Sequence, residues 1–139
     1  MAILNNDSQH KKHVAKATYD FSTCLTKAAG THLLPYADVI PTGAIITSVI
    51  FNVATTVDAC TNVSITGGGL DLVAAQTREN NMVTATGIAI MKAAGNAGSS
   101  ATVPYIPQVA TSTAPIKFVT TGADLTTGVF DIIVEYYAA

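Results

Sequence analysis

The chain has 139 residues, enough for one domain that buries a sizeable core without metals or disulfides. Charged residues make up 12% against about 25% in ordinary soluble domains, and 49% are hydrophobic, so the surface must be unusually neutral, as in an assembly subunit covered by other protein. A net charge of −2 supplies no basic footprint for phosphate backbones, which excludes nucleic acid as a partner on electrostatic grounds.

Residues 1–13 read as a flexible N-terminal arm. Met1–Leu4 is a very short apolar run, unlike a secretory signal, and Asn5–His13 is polar and without period. Ile3 and Leu4 offer a small apolar anchor near the tip, and Lys11 and Lys12 are available to acidic groups, which makes these four residues a candidate docking arm. Residues 14–139 form a single domain. Ala15, Ala17, Tyr19 and Phe21 alternate with Lys16, Thr18, Asp20 and Ser22, the period of two of a strand with one buried face.

Between Asp38 and Asp58 no residue is charged, but Pro41 and Gly43 interrupt the run and its apolar residues alternate, which predicts a strand over Ile45–Val53 and no membrane span. The alternation puts Ile45, Thr47, Val49, Phe51 and Val53 on one face and Ile46, Ser48, Ile50 and Asn52 on the other. With Val49 and Phe51 in the core, Ile46 and Ile50 meet water on a chain already short of charge. They are the candidate oligomer interface, with a closed trimer favoured.

Val63 and Ile65 mark a short strand that ends at Gly67-Gly68-Gly69, and Leu70 and Leu72 begin its partner. Val83–Met91 is a further strand, and a long loop runs from Lys92 to Pro107. Ile116, Phe118 and Thr120 form another strand. Gly122-Ala123-Asp124 and Thr126-Thr127-Gly128 supply turn residues, and Phe130, Ile132, Val134 and Tyr136 line one face of a closing strand. Short strands between turn signals, with no amphipathic helix, predict an all-β protein, an antiparallel sandwich or jelly roll.

Convergent chemistry is absent from this pattern, so no catalytic residue, metal or cofactor is expected. Cys24 and Cys60 lack zinc or redox spacing and read as buried free thiols, with a single bridge between them as the alternative. His10 and His13 lie in the arm, and His32 reads as a loop or strand-edge residue. Gly67-Gly68-Gly69 has no following Lys-Ser/Thr and is a turn, not a phosphate loop.

The segment Ile116–Tyr136, with Leu125-Thr126-Thr127-Gly128 as its turn and Val134-Glu135-Tyr136 as its end, resembles the capsid decoration, or cement, proteins of tailed bacteriophages. The strand Ala17-Thr18-Tyr19-Asp20-Phe21 and the turn Ile40-Pro41-Thr42-Gly43-Ala44 fit the same pattern, which covers Ala15 to Tyr137 and leaves out the Lys92–Pro107 loop. The resemblance implies a β-sandwich subunit, made in the host cytoplasm, that binds the major capsid protein on the outer surface of the virion, commonly as a homo-oligomer, and stabilises the shell. The alternative is a head-fibre or tail-associated sandwich that binds host surface glycans, for which Tyr36, Tyr105 and Tyr137 are the aromatic candidates.

Overall fold

A computed structural model describes residues 11–77, 83, 86–90 and 107–138. Two long strands, β4 (Ile45–Gly67) and β9 (Lys117–Tyr137), pair antiparallel along their whole length. The C-terminal half of β9 also pairs with β1 (Lys12–Asp20), and its N-terminal half with β2 (Gly30–His32). On its other side β4 pairs with β5 (Leu70–Thr77), β6 (Gly87–Ile90) and β7 (Gln108–Val109). A small ribbon of β3 (Val39–Ile40) and β8 (Ala114–Pro115) closes one end. No α-helix occurs among the described residues.

This sheet folds onto itself. The rings of Phe118 and Phe130 meet edge to face with centroids 5.1 Å apart, although a straight strand would hold the two residues about 40 Å apart. The β4–β9 ribbon must therefore bend back between them, so one half packs its inner face against the other. The result is a sandwich made of a single hydrogen-bonded sheet, as an all-β reading of the sequence predicts. Its first layer holds β1, the end of β9, the start of β4, β6 and β7. The second holds β2, the start of β9, the end of β4, and β5.

The bend has a local cause. Register along the pair breaks at four places between Val53 and Asn62 of β4, and irregularities of this kind bend a strand and increase its twist. Opposite them Gly122 has φ +88°, and a Cβ there would collide with Thr61. The residues expected to form turns thus shape a bend inside one strand. The segments Ile45–Val53 and Val63–Ile65 likewise join into β4, and Ile116–Thr120 and Val129–Tyr137 join in β9 but for Ile116. The predicted Gly68-Gly69 turn is a two-residue hairpin between β4 and β5, both residues with positive φ.

Aromatic rings from four strands fill the space between the layers. Tyr19 of β1 lies 4.9 Å from Phe118 and 5.3 Å from Phe130, and Phe51 of β4 lies 6.2 Å from Phe130. Ala15, Ala17, Ile132, Val134, Val49 and Val53 extend this core through the first layer, and Val63, Ile65, Leu72 and Val73 through the second.

Two boundaries and faces differ from expectation. β1 opens at Lys12, not at Val14, because its residues pair with β9: Lys12 opposite Tyr137 and His13 opposite Tyr136, with His13 stacked on the Tyr136 ring at 5.4 Å. A ladder partner orders polar residues that would not order alone. Ile46 is wholly buried, because a bulge at Thr47 places Ile46 and Ser48 opposite the adjacent residues Tyr136 and Glu135. That extra residue shifts the alternation by one, so Ile46 joins the face of Val49, Phe51 and Val53, and Ile45 turns outward.

Gly122→Ala should destabilise the protein by about 2–4 kcal/mol in urea unfolding, from a left-handed φ and a steric overlap with Thr61. Adding Thr61→Ala should recover part of that loss. Wild-type stability for Gly122→Ala would mean the ribbon does not bend as described.

Candidate functional site

Among the described residues, the buried polar cluster around His32 is closed to chemistry. His32 is 1% exposed; its Nδ1 lies 2.9 Å from the Thr26 carbonyl oxygen and its Nε2 2.9 Å from Thr120 Oγ1. A carbonyl only accepts, so Nδ1 carries the proton and Nε2 accepts from the Thr120 hydroxyl. Both nitrogens are thereby used, with no open position for a substrate. The Cys24 thiol donates to the same carbonyl at 3.0 Å. The Tyr19 hydroxyl is buried without a hydrogen-bond partner. Burial first, and then the nearby Cys24 thiol, hold its pKa above the ordinary tyrosine value. Cys24 and Cys60 form no disulfide, and no group of three or more His, Cys, Asp or Glu among the described residues could hold a metal.

The histidine that reads as a loop or strand-edge residue does end the edge strand β2, but its side chain is buried. Its neighbours Thr31 and Leu33 give no hint of this, since the Thr120 partner comes from a distant part of the chain.

What the molecule presents outward is two unlike sheet faces. On the first layer Ile50 and Ile133 are cross-strand neighbours, both half-buried, with Lys16 beside Ile133. Val14 (52% exposed), Ile45 (42%), Val109 and Ile88 surround them. Asp131, Glu135, Ser48 and Asn52 supply the polar groups of that face. On the second layer the outward residues are Thr31, Asn62, Ser64, Thr66, Lys117, Val119 and Thr121, almost all polar. On the strand faces the apolar residues lie mainly on the β1–β9–β4 side, while Leu25 and Leu33, 98% and 75% exposed, lie on the loops flanking β2.

Of the residues singled out from sequence, Ile50 lies on that apolar face and Ile46 beneath it. Ile45, missed because the bulge at Thr47 has no sequence marker, takes the outward place. Lys11 is exposed, and Lys12 bonds Glu135 through Nζ at 3.2 Å. Ile3 and Leu4 lie outside the described residues, as do His10, Tyr105 and the Lys92–Pro107 loop as far as residue 106. Tyr137 is half-buried, and Tyr36 is 100% exposed on the loop after β2.

Glu135 also accepts the Ser48 hydroxyl proton at 2.6 Å, and this bond, followed by Lys12, holds its carboxyl below the ordinary glutamate range.

No family model and no curated protein sequence matches the chain. Two solved structures do resemble it. One is a chain of the acid-stable capsid of Helicobacter pylori bacteriophage KHP30, with TM-score 0.53 and 15% identity over 91% of this chain and 87% of that one. The other is a chain of the cyanophage Pam1 capsid asymmetric unit, with TM-score 0.55 and 14% identity over 93% of this chain and 86% of that one. At such identity the likeness is one of fold. Because both chains of each pair are covered almost equally, the matched chains are of about this length.

Two predictions concern these contacts. Thr120→Val, which keeps shape but leaves His32 Nε2 without a donor, should cost about 1–3 kcal/mol in urea unfolding. No loss would place the histidine elsewhere. A carboxyl whose folded pKa is depressed contributes stability above its unfolded pKa and loses it as pH falls through the folded value. Glu135→Gln should therefore cost less than about 1 kcal/mol near neutrality and flatten the fall in melting temperature between neutral and acid pH. An unaltered pH profile would show that the Ser48 and Lys12 bonds contribute nothing.

Proposed function

We propose that this chain is a structural subunit of a bacteriophage virion, bound on the outer surface of the capsid as a decoration or cement protein, without catalytic activity. The observation that carries the reading is the fold likeness to chains of two phage capsids, which spans nearly the whole length of both partners in each pair. Composition agrees with it: a chain with 12% charged residues that still exposes Val14, Ile45 and Val109 is suited to a surface covered by other protein. In this reading the partners are the major capsid protein and further copies of the same chain, with a trimer favoured, and nucleic acid and membrane have no part. Synthesis takes place in the host cytoplasm, and Ile3, Leu4 and Lys11 help the arm to grip a neighbouring subunit.

The apolar outer face of the first layer is the contact surface. Ile45 and Ile50 replace Ile46 and Ile50 as the residues to test, because substituting Ile46 would disrupt the core. Ile45→Lys/Ile50→Lys should keep a cooperative thermal transition, yet fail to be retained on parent particles stripped of the native protein, or fail to self-associate. Retention and self-association equal to wild type would remove this face from the interface, and a protein that never co-purifies with particles would defeat the capsid assignment.

A further inference from the structure

Ala37 N–H donates to the Leu34 carbonyl at 3.2 Å, closing a turn with Pro35 and Tyr36 at its centre. Proline first and φ +60° second define a type II turn, whose second central position calls for glycine because a side chain there crowds the backbone. Tyrosine occupies it, with its ring wholly exposed, so no burial offsets the conformation. Residues strained in this way cluster at functional sites, which is the reason to ask what the exposed Tyr36 ring could bind.

The turn is also firmly seated. Asp38 accepts Lys16 N–H through Oδ2 at 2.8 Å and donates its own N–H to the Lys16 carbonyl at 2.8 Å, which ties the loop to the free edge of β1. Thr18, Asp20, Thr23, Pro35 and Tyr36 line the resulting cleft of about 420 Å³, within the range of ligand pockets.

We propose that this cleft captures a guanidinium or ammonium group on a neighbouring protein, with the Tyr36 ring as its platform and the Asp20 carboxylate as its counter-charge. The hydrogen-bond inventory selects that chemistry. Thr18 already donates its hydroxyl proton to Asp131 at 2.6 Å, and Thr23 donates to the Asp20 carbonyl at 3.3 Å. The Asp20 side chain accepts from Ser22 N–H at 2.8 Å and from Ser22 Oγ–H at 2.6 Å, both on Oδ1, so Oδ2 keeps its accepting capacity. Those Ser22 bonds also hold the carboxyl below the ordinary aspartate range, and therefore ionised. The Tyr36 hydroxyl is the one lining O–H without a bond in the protein, while the ionised Asp20 carboxylate with an open oxygen beside a π face suits a group that donates and carries positive charge. Charge agrees: the elements forming the cleft bring Asp20, Asp38 and Asp131 against Lys16 and Lys27, and the Lys27 ammonium already sits over the Phe21 ring at 4.3 Å.

The site goes beyond capsid attachment, and its test needs no particle. The intact protein would be titrated with an acetylated, amidated Gly-Arg-Gly peptide and followed by NMR, beside the same peptide carrying neutral citrulline and a set of methyl glycosides. The arginine peptide should shift the resonances of Tyr36, Thr18 and Asp20 saturably and weaken with salt, while citrulline does not. Tyr36→Gly should abolish those shifts while its melting temperature stays level or rises, since glycine relieves the turn. Silence toward arginine, an equal response to citrulline, or shifts by a glycoside alone would overturn the proposal. A fall in melting temperature for Tyr36→Gly would do so too, by making the ring a structural element.

Discussion

Contact between Phe118 and Phe130 across the folded ribbon is the constraint from which the remaining architecture follows. Both rings belong to β9, so they meet only because β9 and its partner β4 bend together near Gly122 and Asp58. Once they do, Tyr19 from β1 and His32 from β2 arrive in the same aromatic cluster, although these strands pair with opposite halves of β9. Edge-to-face rings at this separation contribute about 0.5–1.5 kcal/mol beyond their buried area. The same fold-back settles which side of every strand is inside.

Local signals in the sequence are strong where a strand obeys its own period. Ala15, Ala17 and Tyr19 are buried as their alternation implies, and so are Phe130, Ile132 and Val134. Gly68 and Gly69 make the hairpin their type demands. Long-range features were not legible. The stretch Ala54–Asn62 is rich in Thr and Ala and reads as a break, yet the continuous neighbour β9 keeps it in the sheet. The bulge at Thr47 reverses Ile45 and Ile46, and no residue type announces it, because Tyr136 and Glu135 on the partner strand impose the register. His32 is buried by virtue of Thr120 and Thr26, which sequence spacing cannot relate to it. Pro35 does signal a turn, but tyrosine in the place of glycine hides its type.

For a chain so short of charge, the division of its exterior matters more than any pocket. The outward strand face of the second layer, with Thr31, Ser64, Thr66 and Thr121, is polar, although Leu33 just after β2 is 75% exposed. The first layer leaves Val14, Ile45 and Val109 uncovered. An exposed apolar face of this kind is suited to contact with other protein. The fold-back that makes the sandwich is also what separates the two faces.

Hydroxyl-radical footprinting of the protein, free and mixed with the phage particles that the proposed function requires to bind it, is the most direct test of this division. Bound protein should lose reactivity at Val14, Ile45, Ile50 and Ile133 while Thr31, Thr66 and Val119 react as they do in the free state. Protection of the second layer with the first left reactive, or equal reactivity of both faces in the two states, would contradict the account.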